Sequence, residues 1–98
     1  MPPYTAMCLD GTHVVAYYFN NAEENARWHN AVMDIKNTIA DIVQNTMAGQ
    51  GRSLRCQAWI NQCCRFIQTW GKACTPPDIK IAINDIEGCL GLPKMNWD

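Results

Sequence analysis

At 98 residues, 17% of them charged and with a formal net charge of −1, the chain is expected to form one small domain (1–98), stable by a few kcal/mol at most. Its eight Lys and Arg are scattered singly, so there is no basic stripe to neutralise phosphates and nucleic acid is not an expected partner. No apolar run approaches the ~20 residues needed to span a bilayer.

The N-terminal Met-Pro-Pro-Tyr-Thr-Ala-Met-Cys has neither the basic nor the apolar region of a signal peptide. A secreted protein would therefore be present here as its mature form, whereas a native Met1 favours a cytosolic origin. Asp10-Gly11 lies between two segments rich in β-branched and aromatic residues, a pattern that predicts a β-hairpin over residues 4–19. An isolated hairpin is marginal in water and must pack on the helices that follow.

From residue 21 to residue 47 the period becomes helical. Trp28, Ala31, Val32, Ile35, Ile39, Ile42 and Val43 recur at three- and four-residue intervals, with charged and amide residues between them. Asn20 or Asn21 is placed to cap this helix, and Glu23 and Glu24 suit its dipole. Two glycines in Ala48-Gly49-Gln50-Gly51 end it.

A second helix is predicted over residues 54–70 with Ser53 as its cap. Its apolar residues, Cys56 to Trp70, fill an arc of about 160°. So wide an arc marks a helix covered on two sides, hence central. After Gly71, Thr75-Pro76-Pro77-Asp78 reads as a cap, first-turn proline and favourable acid. The third helix, residues 76–90, carries Ile79, Ala82, Ile83, Ile86, Cys89 and Leu90 on one face, with Ile81 pointing away. Gly91 and Pro93 stop it. The fold class is thus α+β, mainly α: an N-terminal hairpin on three helices.

Six cysteines in so short a chain predict a disulfide framework. In a reducing compartment the same residues would serve as core filler. A metal site is not expected, because there is no Cys-x-x-Cys pair and neither His13 nor His29 has ligand spacing to a cysteine. Antiparallel packing of the second and third helices puts Cys56 level with Cys89, the favoured bridge. Cys63 and Cys64 point about 100° apart on a helix and do not join each other. One of them is expected to reach Cys8, and the other to take Cys74 only if the loop doubles back.

Catalytic signals are weak. Ser53, the only serine, lacks a nucleophile-elbow context, and no cysteine is singled out as a nucleophile beside His13 or His29. The carboxylates, Glu87 among them, fall mostly on polar helix faces. No catalytic residue, cofactor or phosphate loop is predicted. Tyr17, Tyr18, Phe19 and Trp97 are the candidate contact surface, because one strand cannot bury three successive aromatics on one side.

The functional expectation is a small, secreted, disulfide-stabilised protein that acts by binding, toxin-like or effector-like, without enzymatic activity. Its partner would be a protein or a membrane surface, and a homo-oligomer is compatible with the same surface. The alternative is a cytosolic bacterial or viral regulator or inhibitor with reduced core cysteines. A small hydrolase is third.

Overall fold

A computed structural model describes the backbone of residues 4–10 and 13–98 and the side chains of residues 6–7 and 15–98. The fold is mainly helical with a small N-terminal sheet. Strands β1 (Tyr4–Asp10) and β2 (His13–Phe19) precede helices α1 (Ala22–Asn45), α2 (Arg52–Trp70) and α3 (Pro77–Leu90), with a 3-10 turn at Lys72–Cys74. The strands pair antiparallel from Tyr4 opposite Phe19 to Asp10 opposite His13. The turn expected at Asp10-Gly11 lies outside the described residues.

Alternation along β2 decides what its aromatics do. Tyr17 and Phe19 share one face and are buried, while Tyr18 on the other face is half exposed. Their rings meet that of Trp28 at centroid distances of 4.9 and 5.4 Å, which fixes the sheet to α1. The contact surface expected at Tyr17, Tyr18, Phe19 and Trp97 is therefore corrected: Tyr17 and Phe19 belong to the core. Tyr18 alone of the three strand aromatics faces water.

Helix α1 starts at Asn21, whose Oδ1 accepts from the Glu24 N–H at 2.8 Å. Trp28, Val32, Ile35 and Ile42 form its buried stripe. Val43, expected on that stripe, is instead 55% exposed. Trp28 and Trp59 are buried and each has an indole donor to satisfy. Trp28 Nε1 donates to the Cys74 carbonyl at 2.9 Å, tying the 3-10 turn to α1.

Two caps differ from expectation. Gly51, with φ of 76°, turns the chain into α2 two residues before Ser53, so Ser53 lies inside the first turn and α2 has no side-chain cap. Likewise Pro76 is the N-cap of α3, and the Thr75 hydroxyl turns back to donate to the Gly71 carbonyl at 3.3 Å. Pro77 occupies the first helical position, where its missing N–H costs nothing.

The C-terminal tail alters α3. Lys80, Asn84 and Glu87 share one face of that helix, and the tail lies across it. Trp97 Nε1 donates to Asn84 Oδ1 at 3.2 Å, and the Lys80 ammonium sits 5.4 Å from the Trp97 ring centroid. The Met95 N–H donates to Glu87 Oε1 at 3.3 Å. Glu87, expected in solvent, is only 5% exposed. Its buried residues are Ile79, Ile83 and Glu87, while Ala82, Ile86 and Leu90 of the expected apolar face are half-buried against the core. Cys89, at the edge of that face, is exposed.

Cys56, Cys63, Cys64, Cys74 and Cys89 are all free thiols, which corrects the bridges expected among them. Cys56 and Cys63 are core residues beside Trp59 and Ile60 in α2, where a thiol packs as a small apolar group. Cys64 and Cys74 are half-buried against the same core. The side chain of Cys8, and with it the bridge expected to Cys63 or Cys64, lies outside the described residues.

Candidate functional site

The expected Cys56–Cys89 pair leads to the candidate site. The antiparallel packing of α2 and α3 brings both residues to the lining of one cavity of about 360 Å³. It lies where the end of α1, the start of α2 and the end of α3 converge. Val43, Ile86 and Leu90 give it an apolar wall. Exposed Cys89 and Gly49 place its mouth at the surface.

Two arginines organise this end of the bundle. Arg55 donates to Asp41 Oδ2 at 2.6 Å and to the Thr46 hydroxyl, stapling α2 to the last turns of α1. Hydrogen bonds from Asn45 and Arg55 hold the Asp41 carboxyl below its ordinary range. Arg52 donates to the Val43 carbonyl at 3.1 Å and lines the cavity. Arg52 has no ion pair among the described residues, and no carboxylate lines the cavity.

Two large apolar side chains near the α1–α2 turn in sequence are exposed. Met47 and Leu54, which bracket the turn between α1 and α2, are 69% and 76% exposed. Val43, which lines the cavity, is likewise more than half exposed. Met47 and Leu54 were passed over in the sequence because helix periodicity assigns neither to a core face. Their signal was that two apolar residues flank a glycine turn, where polar residues are the norm.

Of the other sequence candidates, exposed Ser53 lines the same cavity. His29 is exposed toward the opposite end of the α1–α2 pair. The side chain of His13 is outside the described residues. Tyr18 and Phe19 do share a second cavity, about 380 Å³, with Arg27, Glu24 and Trp70 at the opposite end of the bundle. Trp97 is held on α3 and lines neither cavity. Cys63 is no nucleophile there: burial, with neighbouring Cys64 adding to it, pushes its thiol up to about 12. Burial also raises that of Cys74, with the nearby Glu24 charge contributing.

Comparison with known proteins yields no match: no family model, curated protein or solved structure is similar to this chain. The site is therefore read from its own geometry. Among the described residues no cluster of three or more His, Cys, Asp or Glu is placed to hold a metal, and no helix is long and apolar enough to cross a membrane. What the cavity offers is an apolar wall, two thiols, the Ser53 hydroxyl and one guanidinium.

Proposed function

We propose that this protein acts by binding, taking an apolar group of its partner into the cavity between the α1–α2 turn and the end of α3. The observation that carries the reading is the apolar wall of that cavity, made by Val43, Ile86 and Leu90, with Val43 more than half exposed at its edge. Apolar groups concentrated at one surface mark an interaction site more often than scattered ones do. Five free thiols favour a reducing compartment, and so a cytosolic regulator over a secreted toxin-like protein.

The test is titration of the folded protein with Nile red, a neutral apolar dye whose emission rises and shifts to the blue on leaving water. Wild-type protein is expected to bind it. Val43→Gln changes an exposed residue in the cavity wall and should weaken binding several-fold without altering the circular dichroism. Absence of dye binding by the folded wild type, or equal binding by Val43→Gln, overturns the assignment.

A further inference from the structure

We infer that the apolar group taken into this cavity is the tail of a free medium-chain carboxylate, held at its head by Arg52. The inference rests on the binding role proposed above and adds the charge of the ligand. A cavity of about 360 Å³ stands near the lower end of the range of about 300–1,000 Å³ seen for small-molecule sites. It suits a single unbranched chain better than a bulky ring system.

Charge complementarity selects the head group. Arg52 is the one charged residue in the lining. Its single bond to the Val43 carbonyl leaves most of its five N–H donors available to a planar carboxylate. By contrast the neighbouring Arg55 is engaged by Asp41 and Thr46. The sign of the field from α2 agrees, since the helix begins beside Arg52 with no side-chain cap and no acidic residue in its first turn. From that head, Val43, Ile86 and Leu90 provide the wall along which an alkyl tail loses contact with water.

The experiment compares decanoate, decanol and decyltrimethylammonium, each below its critical micelle concentration, by amide chemical-shift titration of the isotopically labelled protein. Decanoate is expected to bind about tenfold more tightly than decanol, as fits a charge-assisted contact, and the cation to bind least. Shifts should centre on Arg52, Cys56, Cys89 and Leu90. Shortening decanoate to octanoate should weaken binding by up to about tenfold, because two methylenes leave the apolar wall. Arg52→Gln is expected to abolish the preference for decanoate over decanol, and Arg52→Lys to restore part of it.

Equal affinities for decanoate and decanol, an unchanged preference in Arg52→Gln, or shifts centred on the Tyr18–Trp70 cavity would each overturn the inference. Binding of Nile red without any carboxylate preference removes the inference and leaves the binding role standing. Failure of every apolar probe removes both.

Discussion

The Trp59 indole N–H donates to the backbone carbonyl of Ile35 at 2.9 Å, joining the centre of α2 to the centre of α1. Trp59 is 1% exposed, so its donor has no access to water and the helix carbonyl is its substitute. Trp59→Phe keeps most of the ring but removes the donor and part of the volume. The expected loss is about 2 kcal/mol, from the hydrogen bond and the cavity together. Urea unfolding measures it, and a loss below about 0.5 kcal/mol, the range of a surface substitution, would mean that this contact does not join the helices.

Trp59 also shows what periodicity makes legible. Its place on the wide apolar arc of α2 identifies a central helix, and Asn21, Gly71 and Gly91 mark helix ends by local chemistry that needs no tertiary information. Interactions between distant segments are less legible. The tail residues Met95 and Trp97 have no periodic pattern, yet they contact Glu87 and Asn84 and cover the flank of α3 on which the buried Glu87 lies. The Cys56–Cys89 expectation brought the right helices to the right height, but Cys89 is exposed at the edge of the α3 face. Tyr17, Tyr18 and Phe19 obeyed strand alternation, which already separates Tyr18 from the other two. The site is only half visible in the sequence: Cys56 and Cys89 stand out, whereas Arg52 gains meaning only when the α1–α2 turn is set beside the end of α3.

Thiol accessibility follows the burial order of the cysteines. In native protein at pH 8, an aromatic disulfide reagent is expected to titrate exposed Cys89 first, Cys64 and Cys74 more slowly, and buried Cys63 only as the protein unfolds. In denaturant without reductant at least five thiols should react. A count of four or fewer under those conditions would show at least one bridge and contradict the five free thiols.

Alkali tests the same core. The Cys63 thiol is raised from 9.0 to about 12, first by burial and then by the neighbouring Cys64 charge. Above pH 9 the unfolded chain releases this proton while the folded chain retains it, so the unfolded state gains. The contribution of neutral Cys63 is fully present below pH 9 and is lost as pH rises toward about 12. Cys63→Ala lacks this titration, so its stability should fall less steeply over that window than that of wild type, even though its stability at pH 7 is lower. Parallel stability–pH curves for the two proteins would place Cys63 in a solvated environment.

The clasp of the tail on α3 depends on an oxygen acceptor at position 87 more than on a charge. Glu87 is buried and accepts from the Met95 N–H. Glu87→Gln retains an oxygen acceptor in nearly the same shape, so stability is expected to hold. Glu87→Ala removes the acceptor and leaves a gap under the tail, at an expected cost of about 1–2 kcal/mol. Hydrogen exchange at Met95 distinguishes a clasp from an incidental contact. Protection of that amide should survive in Glu87→Gln and fall in Glu87→Ala, with Trp97 fluorescence shifting to the red as its ring leaves Lys80 and Asn84. Unchanged protection in Glu87→Ala would mean that the tail is held by Trp97 alone, and that Glu87 is buried without contributing to its attachment.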